Sequence, residues 1–347
     1  MKKYFKLLLL ITVIIIAQTS CATNQAEPVS REEFLLDTIC TISIYEIKAS
    51  GGNTAAADNK EETEAAIDAA FDLCRKLDDT LSRTKSDSDI GRINSANGEW
   101  TEAGPETLEL IKKGIEYSKL SKGDFDITVG GITELWDFHA AEGEARLPDE
   151  KALSEAVRHV NYENIEIDGS KLRLKDPEAK IDLGGIAKGF IGDKMSEALI
   201  EAGVTSGIIN LGGNVICIGS KPGGEDFTIG IETPYSDRTE IAGKVGVTDK
   251  TLVTSGVYER KMEVDGKTYH HILNTKTGYP VDSDVNGVTL IADTGKSADI
   301  DALSTICLIK GSEEGRKIID GMEGIEAVFI LRDGSIIKTD GANFTDD

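Results

Sequence analysis

The sequence is short of positive charge. Lys and Arg number 38 against 61 Asp and Glu, a formal net charge of −23 over 347 residues. A surface this acidic repels phosphate backbones and excludes an extended nucleic-acid interface. It leaves room for one small phosphorylated ligand held by local donors, with a divalent cation as mediator. Cysteine is scarce and unpatterned. Cys40, Cys74, Cys217 and Cys307 each sit in an apolar run, with no CxxC spacing and no neighbouring His. Thiolate-metal and redox chemistry therefore lack support, and buried thiols are expected. No GxGxxG fingerprint is present, so a Rossmann site is not supported. Regular strand–helix alternation and internal repeats are also missing, which argues against a doubly wound sheet and for an α+β fold. One strongly apolar run exists, LLLLITVIIIA near the N-terminus, and it is short for a membrane span.

That run follows the basic stretch MKKYFK and ends in Gln18-Thr19-Ser20-Cys21 before a polar segment. The pattern predicts a signal peptide over residues 1–20. Small residues before a cysteine resemble a bacterial lipoprotein cleavage site, with Cys21 lipidated and residues 21–33 serving as a tether. The remainder, 34–340, is read as one domain. FLLDTICTISIYEI (34–47) reads as a strand. Ile67, Phe71, Cys74, Leu77 and Leu81 mark one face of a long helix beginning near Glu61. Residues 105–121, opening on Pro105, and 149–160 predict two more helices. IEIDGSKLRLK (165–175) reads as a hairpin, and SGIINLGGNVICIGS (206–220) as two strands about a Gly-Gly turn. Further strands are expected in FTIGIE, IAGKVGVTDKTLVTSG, YHHILN and VNGVTLIAD, and an αβ-hairpin unit over 312–338 closes the chain.

Four segments carry candidate chemistry. In SADIDALSTICLIKG, Asp301 and Thr305 are one helical turn apart on one face. A carboxylate and a hydroxyl there suit Mg²⁺ or Ca²⁺. They equally suit a helix-dipole contact and a hydroxyl bonding back to its own helix, and Asp299 is expected to be a cap. In KIDLGGIAKGFIGDK, the end of a strand at Ile181-Asp182-Leu183 meets a Gly184-Gly185 turn and a helix starting near Ile186. Free N–H groups and Lys188 in the first turn would favour an anion. KGDFDITVGG holds Asp124 and Asp126 about Phe125, with a bend suited to a ligand. HHILNTKTGYPV supplies His270 and His271, one of which is suited to acid–base work or to holding a phosphate.

Taken in order, DFDITVGG, DLGGIAKG, INLGGNV, VTSGVYER, HHILNTKTGYP and ADIDALST resemble the ApbE-type FAD:protein FMN transferases, over roughly Phe34 to Leu331. The resemblance implies mixed sheets with flanking helices. It implies a Mg²⁺-dependent transfer of FMN from FAD onto a threonine of a partner flavoprotein, with release of AMP. The partner would be a membrane redox complex subunit or an FMN-binding domain, on the extracytoplasmic face of the cell membrane. It assigns the metal to Asp301, Thr305 and the Gly185 carbonyl. Contacts with FAD fall to Phe125, Asp126, Ile127, Asp182, Lys188, Ser255, Gly256, His271 and Ile272. Leu36 and Thr84 occupy positions where family members often carry Met and Tyr, and belong to the same set. His271 or Asp301 would be the general base. Two other readings share these motifs: an FAD pyrophosphatase, in which water replaces the protein hydroxyl, and a flavin-binding lipoprotein without catalysis.

Overall fold

A computed structural model describes residues 27–48, 54–136, 138, 145–236 and 240–346. Cys21 and the apolar N-terminal run lie outside these residues. The chain opens with β1 (Val29–Leu35) and β2 (Thr38–Ile47), then α1 (Lys60–Leu81), α2 (Asp89–Ser95), β3 (Thr101–Glu102), α3 (Pro105–Leu120) and the single turn α4 (Gly130–Thr133). It continues through α5 (Glu150–Arg158), β4 (Ile165–Asp168), β5 (Lys171–Leu174), α6 (Ala187–Glu201), β6 (Val204–Leu211) and β7 (Asn214–Ile218). Next come β8 (Phe227–Glu232), β9 (Ile241–Val247), β10 (Lys250–Gly256), β11 (Lys261–Val264), β12 (Lys267–His270) and β13 (Val285–Asp293). The last elements are α7 (Ser297–Asp320), β14 (Glu326–Leu331), β15 (Ile336–Lys338) and β16 (Phe344–Asp346).

Eight strands form one sheet in the order β1-β2-β6-β7-β10-β13-β14-β15, every pair antiparallel. Helices α1, α6 and α7 cover one face, and the small sheet β16-β9-β8 covers the other. This segregation is the α+β arrangement that the irregular strand–helix order implied. Strand β2, second from the edge, alternates, with Cys40, Ile42 and Ile44 buried and Thr41 and Ser43 between them half-buried. Central β13, covered on both faces, is buried at nearly every position. All four cysteines from Cys40 to Cys307 are buried and unpaired. Among the described residues, no helix is long and apolar enough to cross a membrane.

Three expectations shift. The strand read as 34–47 is a hairpin, with β1 starting at Val29 inside the stretch assigned to the tether. Its turn is Leu36-Asp37, both left-handed at φ 55° and 57°, a conformation usually signalled by Asn or Gly. Ile181–Leu183 is irregular backbone: Lys180 forms an isolated bridge with Val129, and Asp182 N–H donates to the Ile127 carbonyl at 2.8 Å. Helix α2 was not expected. Its Asn94 side chain donates to the Ile181 carbonyl at 2.9 Å and accepts the Ile181 N–H at 2.7 Å, holding that irregular segment in place.

Candidate active site

A cleft of about 420 Å³ opens where the helix-covered face meets the β1–β2 turn, within the size range of small-molecule sites. Of the residues named from the sequence, Leu36, Thr84, Phe125, Asp126, Ile127, Asp182, Gly185, Lys188, Ser255, His271, Ile272, Asp301 and Thr305 all line it. They come from seven separate stretches of chain. Gly256 does not line it: the residue is buried behind Ser255, donates to Glu259 Oε1 at 3.1 Å, and has no room for a side chain beside the Tyr258 ring.

The centre is built by a close helix crossing. A Cβ on Gly189 would meet the Ser297 carbonyl oxygen at 2.2 Å, so only glycine lets α6 approach the start of α7 this closely. The approach brings Asp301, in the second turn of α7, against the first turn of α6. Gly189 N–H, one of the first-turn donors that a helix leaves without an intrahelical partner, donates to Asp301 Oδ2 at 2.8 Å. Gly185 precedes the N-cap Ile186, so its carbonyl lies outside the helical ladder. Asp301 is buried, and burial pushes its carboxyl above the usual range against the opposing pull of Lys188 and the Gly189 N–H. Thr305 stands one turn on, its hydroxyl only 3.4 Å from the Asp301 carbonyl, a weak bond that is readily given up. A Cβ at Gly185 would lie 3.0 Å from the Phe125 ring and 3.5 Å from Thr305 Oγ1. Carboxylate, hydroxyl and backbone carbonyl are oxygen donors only, and their arrangement fits a hard divalent cation such as Mg²⁺.

Charge is arranged around that centre. Lys188 makes no ion pair with any described residue and faces Asp301, Glu259 and His271. It is a free cation in an acidic protein. Asp182 is held by Arg83 Nε at 3.1 Å and accepts the Gly184 N–H at 2.8 Å, which shapes the turn before α6. Glu259 lines the cleft and stays open to solvent there. The cleft walls around its carboxyl and nearby Asp301 push it upward, and Lys188 opposes them.

His271 and His270 part company. His270 Nε2 meets the Val281 carbonyl at 3.1 Å and turns away from the cleft. His271 Nδ1 lies 3.1 Å from the Arg260 carbonyl. A carbonyl only accepts, so Nδ1 carries the proton and Nε2 keeps its lone pair. Burial, with Arg260 and Lys188 alongside, lowers the imidazole to about 3, so it is neutral at physiological pH.

Three carboxylates do other work. Asp126 points away from the ligand space, accepting from Thr128 N at 2.8 Å, Thr128 Oγ1 at 2.7 Å and Tyr162 N at 2.9 Å. It holds the bend of the 125–128 segment, whose backbone borders the cleft. Asp299 does not act as a side-chain cap: it pairs with Lys113 and accepts from Tyr117 Oη at 2.8 Å, joining α3 to α7. Asp124 at the cleft edge is neutralised by Lys276 and Lys310 at 2.6 and 2.7 Å. Arg83, Glu259 and Arg260 also line the cleft and were not singled out from the sequence, although Glu259 and Arg260 close the VTSGVYER motif.

The model of the ApbE family matches residues 36–329. The chain belongs to the ApbE family. Its ApbE relatives include proteins named FAD:protein FMN transferase from Treponema pallidum, 29% identical and covering 90% of this chain and 87% of its own length. Another, from Klebsiella pneumoniae, is 33% identical over 79% of this chain and 84% of its own. Among solved structures, the ApbE protein of Thermotoga maritima superposes with a TM-score of 0.79 at 30% identity, covering 90% of this chain and 97% of that one. The flavin transferase ApbE of Vibrio cholerae gives 0.75 at 25% identity, covering 92% and 97%. The mixed sheets with flanking helices are thus the ApbE fold.

Proposed function

We propose that this chain is an FAD:protein FMN transferase that uses Mg²⁺, attaches FMN to a threonine hydroxyl of an acceptor flavoprotein and releases AMP. Family membership supports the transferase class and FAD as substrate. The observation that carries the finer reading is the convergence of Gly185, Asp301 and Thr305 at one point of the cleft, with Lys188, which pairs with no described residue, next to them.

Asp301, Thr305 and Gly185 would hold the cation, which when bound neutralises phosphate charge and polarises phosphorus. Lys188 binds the diphosphate. The acceptor Oγ–P bond forms at the flavin-side phosphorus as the bridging P–O bond breaks, and the bridging oxygen leaves with AMP. The Oγ proton goes to a base within reach. His271 suits that role better than Asp301, because its Nε2 has a lone pair directed to the cleft while Asp301 is committed to Gly189 and the cation. A diphosphate beside His271 offsets Lys188 and Arg260 and raises the imidazole toward a useful range. The Cys21 pattern supports anchoring by lipid on the extracytoplasmic face, where acceptor subunits of membrane redox complexes would be met.

Incubation with FAD, Mg²⁺ and a flavoprotein acceptor domain tests this reading. Covalent flavin fluorescence on the denatured acceptor is expected, and it should fall on the order of 10³-fold in Asp301→Ala. Release of free FMN and AMP without labelling would establish hydrolysis instead, and intact FAD would establish binding alone.

A further inference from the structure

Alternate residues of β7 face the helices. Ile216 and Ile218 are buried in the helix-side core, while Cys217 faces the small sheet. Asn214 begins the helix-facing row, where the pattern calls for an aliphatic side chain. It is 0% exposed, and neither its amide oxygen nor its amide nitrogen has a hydrogen-bond partner. A buried amide with both ends unsatisfied is costly and rare. The side chain lies beside the Asp301 carboxylate, on which its amide exerts an acid-strengthening pull, without closing a hydrogen bond of normal geometry. Asp301 Oδ2 is taken by Gly189, and Oδ1 accepts no hydrogen bond from any described residue.

We infer that Asn214 is a positioning residue for Asp301: its amide donates to the carboxylate and fixes the carboxylate plane when a divalent cation and a diphosphate fill the cleft. The inference rests on the metal reading of Asp301, Thr305 and Gly185. Its physical basis is the spare lone pairs of a ligating carboxylate, which metal sites commonly satisfy with a hydrogen-bond donor behind the ligand. In the structure that donor is unpaired in the core. Asn214 therefore weakens the empty protein and strengthens the loaded one, and the two effects have opposite signs.

The opposite signs give the test. Asn214→Leu keeps the approximate shape and removes both polar ends, and Asn214→Ser keeps a donor. Mn²⁺ serves as the probe, its affinity read by electron paramagnetic resonance with FAD present, alongside thermal melting of the metal-free protein. Asn214→Leu should melt at or above the wild-type temperature while binding Mn²⁺ about 10- to 100-fold more weakly. In turnover, the Mg²⁺ concentration for half-maximal rate should rise more than the maximal rate falls. Asn214→Ser should recover part of the Mn²⁺ affinity, and it decides the matter should the Leu variant not fold. A lower melting temperature with unchanged Mn²⁺ affinity would mean a purely structural Asn214 and overturns the inference, as does no change in either. Wild-type protein that binds no Mn²⁺ overturns the metal reading as well. Wild-type binding that is lost in Asp301→Ala but undiminished in both Asn214 variants overturns this inference alone.

Discussion

The two faces of the eight-stranded sheet are built to different rules. On the small-sheet side, Phe227, Ile231, Val245, Val247 and Phe344 pack on Cys217, Leu252, Ile291, Val328 and Ile330. Every buried carboxylate among the described residues, namely Asp89, Asp126, Asp193 and Asp301, lies outside that layer. The helix side holds Asp301, Asn214, Ser304 and the Thr251–Ser297 hydroxyl pair next to α6 and α7. Asp193 there accepts both the Ser297 and Ala298 N–H groups at 2.9 Å, closing the start of α7. Buried polarity costs stability unless it is paired. One face was therefore left to hydrophobic packing, and the other carries strain and charge where a ligand is expected to repay them.

Substitutions on the two faces should separate activity from stability. The largest effect belongs to Asp301→Ala, with its loss of transfer on the order of 10³-fold. Because burial disfavours this carboxylate, the unfolding free energy should stay within about 2 kcal/mol of wild type. Urea denaturation checks this, and a collapse in stability would blur the contrast between the faces. Phe227→Ala on the other face should do the reverse. The ring is 1% exposed and packs against Tyr45 at 5.5 Å, so about 3–5 kcal/mol of stability is expected to go, with turnover per folded molecule unchanged.

A smaller, pH-dependent effect falls on His271. Its folded value of about 3 lies below the ordinary 6.5, so the unfolded chain binds the proton first. The stability that the neutral ring contributes is complete above about 6.5 and is lost as pH falls toward 3. The difference in unfolding free energy between wild type and His271→Gln should accordingly shrink across that window. Transfer by His271→Gln should drop on the order of 10²-fold at neutral pH. The smallest change is expected for Lys276→Ala. This exposed lysine shares Asp124 with Lys310, and less than about 1 kcal/mol should be lost by denaturation. A larger loss would show that the cleft edge is a structural support.

Much of the site was legible because its residues sit in short, ordered motifs. Asp301 and Thr305 share a helical face by spacing alone, and the Gly184-Gly185 turn precedes α6 as its composition indicates. What the motifs concealed was direction. Asp126 reads like a ligand contact, yet its carboxylate binds Thr128 and Tyr162. Asp299 and Asp301 look equivalent in ADIDALST, but helical geometry sends one to Lys113 and the other to Gly189. The Leu36-Asp37 turn was hidden because its left-handed pair lacks the usual Asn or Gly. Helix α2 has seven residues, too few for its periodicity to stand out.

Local pattern thus settled the α+β class, the long helices and most strands, because periodicity and turn chemistry act over a few neighbouring positions, while the set of residues that meet at the cleft followed from the resemblance to the ApbE family. Only the folded chain decided that Gly189 would bring α6 onto α7, give its N–H to Asp301 and bury that carboxylate beside an unpaired Asn214. Those outcomes depend on contacts between segments as many as 112 residues apart, and no local pattern encodes which hydrogen-bond partner a long-range contact supplies.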